Sequence, residues 1–396
     1  MKTLKKFDLN NLDKSKWKSF PFEKIAFRIA EIVDPNTTEL EIYYGLEHLD
    51  AESLHIRRNG VPSDVSGGKL KCYPGDVIFG KRRAYQRKAG IVKEAGICSA
   101  HSFVFRANEK IIDARLFPFF LHSDQFMHKM VDISVGGLSP TINWSDLKHQ
   151  EFLLPPKEKQ AELADLLWAM DEVIEKNSDF EESYITFYRN QINVKTNSKN
   201  DYCINEFLLK NLGDTFGGLS GKTKDDFGEG ERFITYMNVY KNFEIDENVF
   251  DLVGIRKNEN QNKVKYGDII FTGSSETPNE VGITSVVLKE LHNYYLNSFC
   301  FGFRLFDFNS LHPNYAKFLF RNNEIRHFLN LRAQGSTRFN LSKTDLKNKL
   351  ILKLPSSEKQ LEIAKYLNKL EANIKIIESK IQSTKALQKS LINQMF

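Results

Sequence analysis

The sequence has few cysteines and no pair of them at a metal-binding or redox spacing. The 396-residue chain has four, Cys72, Cys98, Cys203 and Cys300, and no two of them form a C-x-x-C pair. This spacing indicates neither a zinc site nor a disulfide framework, so reduced thiols are the expectation. No run of 18 apolar residues occurs, and no apolar stretch follows the lysines near Met1. We therefore expect a soluble, cytoplasmic protein.

Signatures of catalysis are missing as well. The stretch from Gly217 to Thr223 resembles a phosphate-binding loop, but that motif needs a glycine five positions before Gly221, where Phe216 stands. The adenine-methyltransferase signature is absent, because the only Pro-Pro pair, Pro155-Pro156, follows a leucine. Histidine pairs at helical spacing are lacking too. The sequence therefore predicts no catalytic residue, no metal and no cofactor of its own.

What the sequence does have is enough apolar residues for two or three domains and a small excess of positive charge. Hydrophobic residues make up 41% of the chain, aromatic residues 12%, and the net charge is +5. This composition excludes a disordered chain. The mild positive charge is compatible with a polyanionic partner but does not require one.

One unit is written twice along the chain. The stretch Leu-Pro-x-x-Glu-Lys-Gln begins at Leu154 and again at Leu354, and Gly-Asp-x-Ile-Phe begins at Gly75 and again at Gly267. Further matches pair Asn143 with Asn340 and Asp146-Leu147 with Asp345-Leu346. Each copy reads as strands and turns, then a helix, a polar loop and a long helix. A polar stretch at 195–200 is the predicted linker between the copies.

Both long helices have helix-start residues and an apolar seam. Pro156 suits a first helical turn, and Ser356 or Ser357 can cap free N–H groups. Apolar residues then step by three and four through each segment, from Leu163 through Phe187 to Gln191 in the first and from Ile363 to Met395 in the second. Such a stripe must be covered, and the other helix is the simplest partner. Each helix would be roughly 57 Å long at 1.5 Å per residue.

The densest cluster of positive charge lies in the first copy, at residues 69–93, and contains a single acid, Asp76. Arginine binds phosphates or guanine edges, glutamine reads adenine, and aromatic rings stack. With the polar loop that precedes the first long helix, this gives the first set of predicted DNA-binding residues: Lys81, Arg82, Arg83, Tyr85, Gln86, Arg87, Lys88, Ser139, Thr141 and Asn143.

The second copy has a polar loop without positive charge after its Gly-Asp-x-Ile-Phe strand. Its phosphate contacts must therefore come from elsewhere, and the candidates are Lys222, Lys224, Lys263, Lys265, Arg332 and Arg338. The second predicted set of DNA-binding residues is Lys222, Lys224, Thr272, Ser274, Ser275, Thr277, Asn279, Ser336, Thr337, Arg338 and Asn340. If the loops differ while the helices and turns are kept, the domains dock alike and read different sequences.

These motifs, in this order and twice over, resemble the specificity subunit of type I restriction-modification enzymes. The stretches that show the resemblance are 44–49, 75–85, 96–101, 139–143 and 155–160 in the first copy, and 217–223, 233–239 and 354–360 in the second. One departure is that lysine precedes Gln160 and Gln360, where many relatives have glutamate.

The resemblance implies an α+β fold with two tandem target-recognition domains, each followed by a long helix. The helices would form an antiparallel coiled-coil spacer with pseudo-two-fold symmetry. The expected boundaries are 1–153 for the first domain with its N-terminal tail, 154–195 for the first helix, 196–352 for the second domain and 353–396 for the second helix. The polar, lysine-rich sequence of residues 1 to about 20 predicts a tail that docks by its aromatics, Trp17, Phe20 and Phe22.

The function that the resemblance implies is recognition without catalysis. The two domains would recognise a bipartite site in double-stranded DNA. The chain would direct two S-adenosylmethionine-dependent methyltransferase subunits and ATP-dependent restriction subunits to that site.

Two alternatives from other classes remain at this point. A self-contained DNA-modifying enzyme would transfer a labelled methyl group to DNA, although its signatures are missing. A coiled-coil scaffold would explain the heptads but not the basic cluster, and it would fail to shift DNA in a gel.

Overall fold

The structure is a computed structural model that describes residues 14–197 and 204–396. It divides into two compact units, one comprising residues up to Asp179 together with Ser379–Phe396 and the other comprising Phe180–Glu378. Each unit combines small, mainly antiparallel sheets with short helices and parts of both long helices, which confirms the α+β class. The division cuts both long helices, so the boundaries expected from sequence stay a prediction.

The first half contains ten strands and five α-helices between residues 14 and 197. The strands are β1 (Lys18–Pro21), β2 (Ala26–Ile29), β3 (Ile32–Val33), β4 (Tyr43–Tyr44), β5 (Lys69–Cys72), β6 (Val77–Gly80), β7 (Ala89–Ile91), β8 (Gly96–Cys98), β9 (Ser102–Ala107) and β10 (Glu151–Leu154). The helices are α1 (Phe22–Ile25), α2 (Phe117–His122), α3 (Asp124–Asp132), α4 (Trp144–Leu147) and α5 (Lys157–Thr196).

The second half contains twelve strands and five helices in its described residues. The strands are β11 (Asn205–Leu208), β12 (Gly213–Gly217), β13 (Phe227–Ile234), β14 (Phe250–Val253), β15 (Ile269–Thr272), β16 (Ser274–Ser275), β17 (Thr284–Val286), β18 (Tyr294–Leu296), β19 (Cys300–Leu305), β20 (Ala333–Gln334), β21 (Phe339–Leu341) and β22 (Ile351–Leu354). The helices are α6 (Tyr236–Lys241), α7 (Pro313–Leu319), α8 (Asn323–Asn330), α9 (Lys343–Lys349) and α10 (Ser357–Met395).

The sheets confirm that one unit is written twice. The order β2-β9-β6-β7 in the first copy matches β12-β19-β15-β17 in the second, and the pair β1-β10 matches β11-β22. The parallel pair β4-β8 matches the parallel pair β13-β18, in sheets of four and three strands, while the sheet β16-β21-β20 is found in the second copy. The strand registers agree as well, because Phe79 lies opposite Phe103 and Phe271 lies opposite Phe301. Strand register therefore gives an alignment of the copies that does not depend on sequence similarity.

The repeated Gly-Asp pair places a buried carboxylate in an ion pair with a partly exposed arginine in both domains. Gly75 and Gly267 have φ values of 87° and 85°, a left-handed conformation that glycine adopts without steric cost. The following Asp76 is buried and accepts hydrogen bonds from Arg106 at 2.7 and 3.0 Å. Asp268 is paired in the same way with Arg304 at 2.8 and 2.6 Å, and burial raises the pKa of its carboxyl. The motif is therefore structural.

The repeated glutamine at each helix start ties the helix to its domain. The Gln160 side chain, 1% exposed, accepts from the Asp113 N–H at 2.6 Å and donates to the Ile111 and Pro155 carbonyls at 3.0 and 2.9 Å. Gln360 accepts from the His312 N–H at 2.9 Å and donates to the Ser310 and Pro355 carbonyls at 2.8 and 3.0 Å. These amides are therefore not available to a partner protein.

The long helices pack antiparallel within each unit. In the second unit, Asn373 donates to the Tyr184 hydroxyl at 2.9 Å and Tyr366 donates to Gln191 at 3.2 Å. In the first unit, Gln388 donates to the Leu167 carbonyl at 3.3 Å, and the core contains Leu391, Ile392, Met395 and Phe396 from the end of the chain. The helix pairing predicted from the two apolar seams, and the antiparallel direction that the resemblance implies, are confirmed within each unit.

Three details predicted from the sequence are wrong. Phe187 does not lie in the apolar seam, because its side chain is 44% exposed. Tyr188 and Ile192 are buried in the core of the second domain, so the helix turns that face, and not Phe187, inward. Asn143 does not match Asn340, because Asn143 precedes α4 as Ser342 precedes α9. Residues 18–21 are not part of a tail but the strand β1.

The other predictions for the chain termini and the linker are either confirmed or concern residues outside the described ranges. Trp17 and Phe22 are buried in the first core, as expected. Ser356 caps α10 by accepting from the Lys359 N–H at 3.3 Å. Residues 1–13, Cys203 and part of the predicted linker lie outside the described residues. None of the helices in residues 14–197 and 204–396 combines the length and apolar composition of a membrane span.

We predict that Gln160→Glu and Gln360→Glu each lower the free energy of unfolding by roughly 2–4 kcal/mol. A carboxylate cannot donate to the two carbonyls that the amide satisfies, and it would be buried. Urea unfolding followed by circular dichroism measures the change. Gln382→Glu, at an exposed position of α10, is the matched control and should unfold like the parent. An unchanged midpoint for both buried variants would show that these amides do not hold the helices.

Candidate nucleic-acid interface

The basic loop and the glycine-rich loop of the first copy form one surface. Arg82 and Thr141 form a backbone bridge, and the Arg83 N–H donates to the Pro140 carbonyl at 2.7 Å. The Arg83 guanidinium donates to the Ser139 hydroxyl at 3.1 and 3.2 Å. Two stretches about 60 residues apart in sequence are thus joined by backbone and side-chain bonds.

This joined surface fully exposes four of the ten predicted residues and partly exposes four others. Arg82, Arg83, Tyr85 and Asn143 are exposed, while Lys81, Gln86, Ser139 and Thr141 are half-buried. Arg83 has a left-handed backbone with φ of 57°, which costs about 1–3 kcal/mol at a residue other than glycine. The bonds to Ser139 and Pro140 hold it there, so the loop displays its side chains in a fixed arrangement.

Two predicted cations of this loop are used inside the domain instead. Arg87 forms ion pairs with Asp124 at 2.6 Å and with Glu52 at 2.9 Å. Asp124 also accepts from Asn393 at 2.5 Å, which links the loop to the end of α10 within the same unit. The Lys88 ammonium donates to the Leu46 carbonyl at 2.6 Å. Both side chains support the surface and are not displayed on it.

The equivalent loops of the second copy are joined at the equivalent place. Ser274 and Ser275 of β16 pair with Asn340 and Phe339 of β21. The Leu341 N–H donates to the Gly273 carbonyl at 3.0 Å. The bridge between Arg82 and Thr141 in the first copy therefore has its counterpart in the pair of Ser274 and Asn340.

The hydroxyls at the base of the second loop are internal. The Thr272 hydroxyl donates to the Glu280 carbonyl at 2.6 Å, and the Ser275 hydroxyl donates to the Glu280 carboxylate at 2.7 Å. This bond from Ser275 also lowers the pKa of the Glu280 carboxyl. Ser274 is half-buried, whereas the remaining predicted residues are exposed: Thr277, Asn279, Ser336, Thr337, Arg338 and Asn340. The exposed face of this loop pair is polar and has one cation.

The structure does not join Lys222 and Lys224 to this surface. The Lys222 side chain is 5% exposed and donates to the Gly254 carbonyl at 2.6 Å and to Glu259 at 2.5 Å. Its hydrogen bond to Glu259 lowers the pKa of that carboxyl to about 2. Lys224 is exposed in a short turn at 224–226. Lys222 is therefore a structural cation.

The other basic candidates of the second copy have different surroundings. Lys263 donates to Asn293 at 2.8 Å, and Lys265 is exposed before the Gly-Asp turn. The Arg332 guanidinium lies 3.6 Å from the Phe328 ring centroid, and that of Arg338 lies 4.8 Å from the Phe299 centroid. Only Arg338 of these belongs to the joined loops.

Sequence reasoning did not single out two cations that lie beside the joined loops. Arg28 of β2 lies over Phe103 and Trp144, with its guanidinium 5.5 and 5.9 Å from the ring centroids. Lys343, the first residue of α9, lies 5.6 Å from the Phe301 centroid. The equivalent positions of Phe103 and Phe301 could have pointed to them, but that match appears only in the strand register.

Comparison with known proteins shows which family the chain matches. The family described as type I restriction modification DNA specificity domain matches residues 58–183 and again residues 205–386. No protein of the curated set matches the sequence.

Solved structures show the same fold. One is described as the structural basis underlying complex assembly and conformational transition of the type I R-M system; it is 17% identical over 96% of this chain and 97% of its own, with a TM-score of 0.63. Another, the type I restriction-modification system S subunit from M. genitalium, is 13% identical over 98% of both chains, with a TM-score of 0.54. The family match covers most of the sequence, in two copies. The chain therefore belongs to the type I restriction-modification DNA specificity family, as a recognition subunit for a bipartite DNA target that is not itself an enzyme.

Proposed function

We propose that each joined loop pair reads one half of the bipartite target. The observation that supports this most is the shared construction: in both domains, the loop after the Gly-Asp strand pairs with the loop before the final short helix. The same scaffold thus displays two different sets of side chains. To read two different half-sites, the two domains need different side chains on the same backbone scaffold.

The side chains suggest how the two halves are read. In the first domain, Arg82 and Arg83 suit phosphates or guanine, Gln86 suits adenine, and Tyr85 offers an exposed ring. In the second domain, Thr277 and Asn279 with residues 336–340 supply hydroxyls, amides and one guanidinium. Four residues predicted from sequence position the loops in this proposal and do not touch DNA: Arg87, Lys88, Thr272 and Ser275. Lys222 is a structural cation outside the loops and does not touch DNA either.

The proposal includes partner subunits, and the exposed apolar side chains of the long helices are the surface that suits their binding. Phe180, Phe187 and Val194 of α5 are exposed apolar side chains spaced by seven residues within the second unit. Leu387, 200 positions after Phe187, is exposed on α10 in the first unit. Exposed apolar stripes of this kind mark protein interaction sites. We assign them to two S-adenosylmethionine-dependent methyltransferase subunits in the cytoplasm, with ATP-dependent restriction subunits joining that complex.

We predict that Arg82→Ala combined with Arg83→Ala weakens binding to duplex DNA and flattens its salt dependence by about 0.9 per lost phosphate contact. These exposed side chains should contribute less than about 1 kcal/mol to stability. Fluorescence anisotropy at several salt concentrations measures the binding. Arg87→Ala is the contrasting variant: it should lower stability by about 1–3 kcal/mol, because Glu52 and Asp124 each lose one of their partners. Unchanged affinity of the double variant at every salt concentration would remove this loop from the interface.

We predict that each loop pair controls one half-site alone. Thr277→Ala with Asn279→Ala should reduce discrimination in one half, by roughly 10- to 100-fold per lost base contact. Tyr85→Ala with Gln86→Ala should do so in the other half. Selection of bound sequences from random duplexes reads both halves at once. The assignment would be contradicted if either double variant changed the recognition of both half-sites. It would also be contradicted if neither double variant changed the recognition of any half-site.

We predict that Phe180→Ser with Phe187→Ser reduces co-purification of a co-expressed methyltransferase subunit at least about tenfold. Burial of a phenylalanine at an interface contributes about 1.5–3 kcal/mol. Glu182→Gln, at an exposed polar position of the same helix, is the matched control. Equal recovery of the methyltransferase with all three proteins would refute docking on this stripe.

A further inference from the structure

A buried phenylalanine in the first domain has two cations over it. The Phe103 ring, 2% exposed, lies 5.5 Å from the Arg28 guanidinium and 5.3 Å from the Lys81 ammonium. The guanidinium also lies 5.9 Å from the Trp144 ring. Arg28 comes from β2 and Lys81 directly follows β6, so two elements direct positive charge to one aromatic ring.

These cations have no acid to balance them. Among the described residues, no carboxylate lies within 4.0 Å of the charged atoms of Arg28, Lys81 or Arg82. Burial and the charge of Arg28 lower the pKa of Lys81. Burial, with the charges of Arg82, Lys81 and Lys69, lowers the pKa of His101. The protein thus gathers positive charges that repel one another, and an anion from outside would relieve that repulsion.

The aromatic ring explains how the charges are held without being neutralised. A ring face attracts a cation through its quadrupole and fixes its position, but the ring has no net charge. A carboxylate in its place would cancel the charge and compete with a ligand. A cation on a ring is therefore held in place with its charge still available to an external anion.

The second domain places a cation on the equivalent ring by a different route. Phe301 lies opposite Phe271 as Phe103 lies opposite Phe79. The Lys343 ammonium lies 5.6 Å from the Phe301 centroid, and the Arg338 guanidinium lies over the neighbouring Phe299 ring. Lys343 opens α9 as Trp144 opens α4, so its position is filled by a ring in the first domain and by a cation in the second. A positive charge therefore lies beside the equivalent phenylalanine in both domains, although the residues that supply it are not at equivalent positions.

We propose that each domain binds a backbone phosphate of duplex DNA at this ring, through Arg28 and Lys81 in the first domain and through Lys343 in the second. This inference rests on the proposed function. It also answers how the second domain, whose loop lacks a basic cluster, is anchored to a polyanion. The anchor sites flank the joined loops in both domains, since Lys81 begins one loop pair and Lys343 follows the other.

The test measures salt dependence for the full-length chain on duplex DNA of random sequence. Arg28→Gln and Lys343→Met should each flatten the slope of log affinity against log salt by about 0.9, and the double variant by about 1.8. The loss should be the same on duplexes of different sequence, because phosphate contacts carry no base information. Arg28→Lys and Lys343→Arg should restore the slope. Lys375→Met, at an exposed position of α10, is the matched control and should leave the slope unchanged.

Each other outcome has a definite meaning. If the parent binds duplex DNA and both variants keep its slope, the phosphate sites are refuted and the proposed function stands. If the variants alter which sequences are bound but not the slope, these cations contact bases, which also overturns the inference. If the parent does not bind duplex DNA at low salt, the proposed function fails first. Thermal unfolding of each variant, together with the restored slope of the conservative substitutions, separates lost contacts from lost folding.

Discussion

Each long helix is tied to its globular domain by one buried glutamine amide, and the rest of each unit depends on that attachment. Gln160 and Gln360 each satisfy three backbone groups, one of them in a buried hydrogen bond and two in part-buried ones. An unsatisfied buried polar group costs about 1–3 kcal/mol. The amide has both a donor and an acceptor, and only such a group can serve an N–H and two carbonyls together. This requirement explains why the residue recurs at the same place in both copies.

The polar groups of each domain are divided between interior and surface by a simple electrostatic rule. Inside, charges are paired: Asp76 with Arg106, Asp268 with Arg304, and Lys222 with Glu259. At the joined loops of the first domain, cations are displayed without such partners. Paired charges hold the frame because breaking them leaves a buried charge. Unpaired charges repel one another and are stabilised by a polyanion. Arginine and lysine thus stabilise the fold where a carboxylate pairs with them and are available to a polyanion where none does.

The sequence predicted the repeat, the class of fold, the two long helices and the two loop regions of each domain, because these depend on local features. Glycine turns, apolar periods and helix caps are all read from a few neighbouring residues. It did not predict that Thr272 and Ser275 point inward, since that depends on Glu280 folding back over the loop. It placed Phe187 in the helix seam because the period continues there, whereas contact with the second domain turns Tyr188 inward instead. Tertiary packing decided both cases.

The different origins of the cations at Phe103 and Phe301 bear on how such a chain can change its target. Arg28 lies on a strand of the central sheet and Lys343 opens a helix, and both lie outside the two loops that are joined. In the proposed mode of binding, the anchoring charge of Arg28 and Lys343 is independent of the side chains that would read bases. A new loop sequence could alter base contacts, and Lys81 with them, while the strand and the helix keep that charge in place. The frame would then fix where a half-site is held, and the loops would determine which half-site it is.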